Sequence, residues 1–134
     1  MLKFGLLYLN EGMWKGKQVV PAAWVKESTT TKIELAPGFG YAYFWWTKQF
    51  SWKGKIVNSY FAWGYGGQYI FVVPSLQLVV VFNGTNWSTD PTKYYFEMME
   101  KFILPSCDAQ SPLGESPKTD MDLSVQSVGL PGRI

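Results

Sequence analysis

The segment Tyr60-Phe61-Ala62-Trp63-Gly64-Tyr65-Gly66-Gly67-Gln68-Tyr69-Ile70-Phe71-Val72-Val73-Pro74 places three glycines within four positions and follows them with a run of β-formers. A strand so rich in glycine at one point is commonly one that a ligand or another backbone approaches closely. The segment reads as a strand interrupted by its glycines and lining an open sheet edge. A bulge between packed strands would use the same glycines.

Composition narrows what such an edge can serve. The chain has 134 residues, enough for one domain with a core. A hydrophobic content of 47% with 16% charged residues excludes disorder for the chain as a whole. The net charge of +2 gives no electrostatic footprint for nucleic acid. No run approaches the ~18 apolar residues of a membrane span. The apolar start (Leu2, Leu6, Leu7, Leu9) is short, interrupted and without a basic region before it, so no export signal is expected within this chain. Histidine is absent and Cys107 is the single cysteine. A Ser-His-Asp or Cys-His arrangement, a disulfide within the chain and a His or Cys metal site are therefore all excluded. No metal or cofactor is expected. Any hydrolytic base must be Lys, Tyr or a carboxylate.

The periodicity predicts a helix over residues 1–10, closed by Asn10-Glu11-Gly12. A turn at 13–16 precedes a short helix over 21–28 that starts at Pro21 and is anchored by Trp24 and Val25. Residues 29–37 read as a polar loop. Strands are expected at 39–47, at 50–57 with a bend at Gly54, at 60–62 continuing through 69–73, and at 77–82. The last is continuously apolar and should be covered on both faces. A turn at 83–86 follows. Thr89 or Asp90 then caps a helix with Pro91 near its first position. Phe96, Met99, Phe102 and Ile103 give this helix an apolar face, and Pro105 ends it. Residues 106–134 shift to Ser, Pro, Gly, Asp and Gln and read as a disordered tail. The predicted class is α+β, an antiparallel sheet flanked by helices.

Three segments in order resemble the C-terminal part of the serine β-lactamase-like hydrolases, which include class C β-lactamases, penicillin-binding proteins and related esterases. They are Met1 to Asn10 with Trp14 to Pro21 and Trp24 to Ser28, then Phe39-Gly40-Tyr41 through Trp45-Trp46, then Phe61 to Gln68 followed by Val72-Val73-Pro74 and Leu78 to Val81. The resemblance implies a partial β-lactamase/transpeptidase-like fold over residues 1–105. It also implies a Ser-x-x-Lys nucleophile, a Tyr-x-Asn or Tyr-x-Ser motif, and a third motif on a strand followed by a backbone N–H that holds the carbonyl oxygen. The third motif maps onto Ala62-Trp63-Gly64, and Tyr65 would supply the N–H. Gly64 would let substrate lie against the strand, and Gly66 and Gly67 would keep the following turn free of side chains.

Two departures shape the expected function. Ala62 stands where β-lactamases carry Lys, and Trp63 where they carry Thr or Ser, so the cation that pairs with a drug carboxylate is missing. That points to an esterase or amidase with a neutral, aromatic-walled site. No Ser-x-x-Lys occurs in the chain, and the one Tyr-x-Asn, Tyr8-Leu9-Asn10, lies on the apolar opening helix, where Tyr8 is expected to pack or be solvated. The chain is thus read as the C-terminal portion of a serine hydrolase, with no catalytic nucleophile of its own and inert alone. Its partners would be an ester or amide substrate in the complete enzyme and a missing N-terminal half. Relatives of this kind are often periplasmic or secreted. Two alternatives remain at this point. One is a binding module using Trp45, Trp46, Trp52 and Trp63 as an aromatic platform. The other is a shortened pseudoenzyme that docks onto a full-length homologue or a missing half, leaving an exposed apolar face without it.

Overall fold

The computed structural model describes residues 1–85 and 90–107. Helix α1 (Leu2–Leu9) leads into a two-stranded hairpin, β1 (Met13–Trp14) and β2 (Lys17–Gln18), and then into helix α2 (Ala22–Thr29). Six antiparallel strands follow and pair in chain order: β3 (Ile33–Ala36), β4 (Phe39–Ala42), β5 (Trp45–Trp52), β6 (Lys55–Gly64), β7 (Gln68–Val73) and β8 (Leu78–Asn83). Helix α3 (Thr92–Met98) continues through a wider π turn (Met99–Ile103) into a last helical turn, Leu104–Ser106. The expected antiparallel sheet flanked by helices is present. No helix among the described residues is long and apolar enough to cross a membrane. The predicted tail lies outside the described residues, apart from Ser106 and Cys107.

Strand alternation splits the core into two layers. Phe50, Phe61, Tyr69, Phe71 and Val73 face α3 and meet Met99 and Leu104. Tyr60, Ile70 and Val72 face the other way and meet Tyr8 of α1 and Val25 of α2, with Trp45 beside them. Strand β8 serves both layers, Val80 and Phe82 on one face and Val79 and Val81 on the other, as its unbroken apolar run predicts. Gly5 is what seats α1 on the sheet. A Cβ there would come within 2.5 Å of Val79 Cγ1 and 2.8 Å of Ile70 Cγ2.

Several boundaries differ from the sequence reading, each for a local reason. The tetrapeptide Trp-Lys-Gly-Lys occurs twice, at 14–17 and 52–55, and makes the same reversal each time. Its central pairs, Lys15-Gly16 and Lys53-Gly54, both have positive φ, the signature of a two-residue hairpin turn matched to strand twist. The first turn is therefore a hairpin, and Gly54 ends a strand rather than bending one. The single strand expected over 39–47 is two strands joined at Tyr43-Phe44, with Tyr43 at φ 49°. The polar loop contains β3, a wholly exposed edge strand with a register shift between Glu34 and Ala36. Trp24 is not buried: it is 43% exposed and packs on Tyr43 at 5.0 Å.

At the last helix, the Asp90 carboxylate accepts the Thr92 N–H, while Thr89 lies outside the described residues. The π turn then changes which residues share a face. The Leu104 N–H bonds back to the Met99 carbonyl, five residues away, so Met99 and Leu104 point inward together. Phe102, expected on the apolar face, is 68% exposed. Pro105 lies within the last turn, Leu104–Ser106, rather than ending the helix ahead of it.

Gly5→Ala is expected to lower stability by roughly 1–3 kcal/mol, because Val79 and Ile70 cannot both retreat from a new methyl. Gly54→Ala meets nothing within 4 Å and should cost only about 1 kcal/mol, from its positive φ. Urea unfolding midpoints would rank the two, and equal midpoints would contradict this account of how α1 is seated.

Candidate functional site

The glycine-rich segment is a hairpin that outruns its neighbour. The β6–β7 ladder continues through Ala62↔Ile70, Trp63↔Tyr69 and Gly64↔Gln68. The β5–β6 ladder stops at Trp46↔Phe61. Ala62, Trp63 and Gly64 are therefore held by β7 on one side, while the side toward β5 has no ladder partner. Gly66 and Gly67 turn the chain at φ 81° and 92°. The turn is pinned from outside by the Gly84 N–H on the Gly67 carbonyl (2.9 Å) and the Gln68 amide on the Gly84 carbonyl (2.7 Å). Gly67 has a packing role as well, since a Cβ there would meet the Tyr95 hydroxyl at 2.8 Å. The nearest neighbour of Gly64 is the Gln68 side chain across the hairpin.

Strand alternation sends the first two residues of the predicted motif, Ala62 and Trp63, to opposite faces. Trp63 joins the α3 side, where its ring lies 5.2 Å from Trp46 and stacks on Tyr69 at 6.0 Å. Tyr69 is buried and bonded through its hydroxyl to Thr92. Burial pushes that phenol up to about 12, against the opposing hydrogen bond from Thr92. Ala62 faces the helical side and forms part of a cleft of about 330 Å³ with Phe4, Tyr8, Trp24, Ser28, Tyr43, Phe44 and Trp45. No charged residue lines this cleft. The hydroxyl of Tyr43, a cleft residue, donates to the Glu27 carboxylate at 3.2 Å, and Glu27 pairs with Lys32 at 2.7 Å. The Lys32 hydrogen bond holds that carboxyl below its usual range. Tyr65 stands at the hairpin tip and is 78% exposed.

Ser28 and Tyr8 bring hydroxyls to the lining of this cleft. Ser28 is buried with its hydroxyl donating to the Val25 carbonyl at 3.2 Å, and Thr31 stands three residues on, where a lysine would be needed. Tyr8 packs as expected, its ring 5.0 Å from Phe4 and 4.7 Å from Trp45. Among the described residues, no group of three or more His, Cys, Asp or Glu side chains converges to hold a metal ion. The four tryptophans of the platform reading do not share a face: Trp45 is buried on the α1 side, whereas Trp46, Trp52 and Trp63 lie on the other. The cleft walls Phe4, Tyr43 and Phe44 went unread in the sequence. The available signal was the break in alternation at Tyr43-Phe44, which marks a turn and sends both rings out beside Ala62.

No protein-family model and no curated protein sequence matches the chain. Its fold is similar to a solved structure titled "Putative 6-aminohexanoate-dimer hydrolase from Bacillus anthracis", with a TM-score of 0.61 and 21% sequence identity. The likeness is one of fold. The match covers 83% of this chain and 29% of the Bacillus anthracis chain, so this chain spans less than a third of the structure it resembles.

The buried phenols set the alkaline limit of this region. A tyrosine held above its usual value contributes stability that is complete below the unfolded value near 10 and is lost as pH rises through the folded value. Tyr69, at about 12, and Tyr60, also raised chiefly by burial, both act in this sense. Stability measured by urea unfolding should be level with respect to these two groups up to about pH 10 and fall from there toward 12. In Tyr69→Phe the fall should be shallower, and an equally steep one would show that burial of Tyr69 does not cause it.

Proposed function

We propose that this chain forms one wall of a β-lactamase-related serine hydrolase of the esterase or amidase type, and is inert by itself. In this reading Ala62-Trp63-Gly64 is the third-motif strand along which the substrate lies. The Tyr65 N–H is one of the two donors to the carbonyl oxygen as it gains negative charge. The nucleophilic serine, its lysine and the tyrosine come from the part of the fold that has no counterpart here. The observation that carries the reading is the strand segment Ala62–Gly64, laddered on one side only and opening beside an uncharged aromatic cleft. The cleft also supports a neutral ester or amide over an anionic substrate, since it offers no cation to a carboxylate. The exposed rings of Phe4, Trp24, Tyr43 and Phe44, the last 88% exposed, favour an additional docking role for the same face.

A graft tests this directly. Residues 1–104 would replace the matching part of the Bacillus anthracis hydrolase, and turnover of p-nitrophenyl butyrate would be followed. The chain alone should show no turnover above buffer, and the graft should be active. Within the graft, Tyr65→Pro removes one N–H and should lower kcat by roughly 10²–10³, while Tyr65→Ala keeps the N–H and the rate. Ester turnover by the chain alone, or a Tyr65→Pro graft with undiminished kcat, would defeat the reading.

A further inference from the structure

A second cleft, of about 440 Å³, lies between the end of α1, helix α2, Tyr60 of β6 and the β7–β8 connection. Tyr8 stands between it and the cleft at Ala62, lining both. Tyr60 is only 8% exposed, its ring set edge-on to Trp45 at 5.1 Å. Its hydroxyl makes no hydrogen bond among the described residues, yet no described side-chain N or O is both sealed from solvent and unpartnered. The hydroxyl is therefore reached by solvent. Tyr60 lines both this cleft and the threonine-rich groove next to it, whereas Tyr8 and Glu11 line only the former of the two.

Three more polar groups of this cleft have no hydrogen-bond or ion-pair partner among the described residues: the Tyr8 hydroxyl, the Glu11 carboxylate and the Lys26 ammonium. The other polar side chains are committed, Thr29 to the Val25 carbonyl and Gln77 to the Pro74 carbonyl. Ala22 and Ala23 line the cleft with small side chains. A carboxylate, an ammonium and two phenols call for a ligand bearing the opposite charges together with hydrogen-bond donors.

We propose that this cleft binds a small zwitterion of the amino-acid class, with its ammonium held by Glu11 and the two phenol oxygens and its carboxylate by Lys26. The site is independent of the hydrolase reading. It is tested by titrating the 134-residue chain at low salt with 4-aminobutyrate, butylamine and butyrate, followed by NMR at the Ala22 and Ala23 methyls and the Tyr60 ring. The zwitterion should bind about tenfold tighter than either one-charge analogue. Tyr60→Phe should weaken it about fivefold and leave the unliganded Tm unchanged, because the hydroxyl holds nothing in the fold. Glu11→Gln and Lys26→Gln should each abolish the advantage of the zwitterion. The proposal is overturned if no probe gives a saturable shift, which would leave a cleft holding water only. Equal affinities for the three probes, or a Tyr60→Phe chain that binds unchanged or melts lower, would overturn it too.

Discussion

Phe61 and Phe71 lie directly opposite each other on β6 and β7, their rings stacked with centroids 4.8 Å apart. Phe96 of α3 closes on both edge-on, at 5.5 Å and 6.1 Å. Aromatic pairs in these geometries add to the burial of their area, and here they weld the central hairpin to the helix above it. On the reverse face of the same two strands, Tyr60, Ile70 and Val72 receive α1 and α2. Both core layers thus depend on one hairpin. The candidate site is the free end of that hairpin, so Ala62 to Tyr65 inherit the rigidity of the best-packed part of the molecule. A binding edge placed there loses little conformational freedom when a ligand arrives.

Which parts of this architecture could be read from the residues follows from where the determining forces act. The helices α1 and α2, strand β8 and the glycine break are set by local pattern, and all were legible. The hairpin turns were signalled by Trp-Lys-Gly-Lys, but their function depends on positive φ at a lysine, which composition alone does not announce. Strand β3 was not legible. The alternation of Ile33-Glu34-Leu35 is too short to stand out from the polar stretch before it, and Gly40 lets β4 come close; a Cβ at Gly40 would meet the Ile33 carbonyl at 2.7 Å. The π turn was also hidden, since a face defined by 3.6-residue spacing cannot foresee that Met99 and Leu104 will pack together.

The site divides along the same line. Its strand and its glycines were visible as residues in order. Its walls were not, because Phe4, Tyr43, Phe44 and Ala62 come from three distant segments that meet only once the sheet is built. The same holds for charge. Ala62 in place of lysine suggested a neutral pocket; the cleft beside Ala62 is lined by uncharged residues, and Glu27 pairs with Lys32.

Gly5 reaches across to Ile70 of β7 and Val79 of β8 at the same time. The resting place of the first helix is therefore a seam between two strands that lie more than sixty residues further along the chain. That helix can settle only after β7 and β8 have been made, and until then its apolar side is wetted or shielded by other factors. Contacts of such long reach slow the search for the native state, so the docking of α1 is timed by the far end of the sheet.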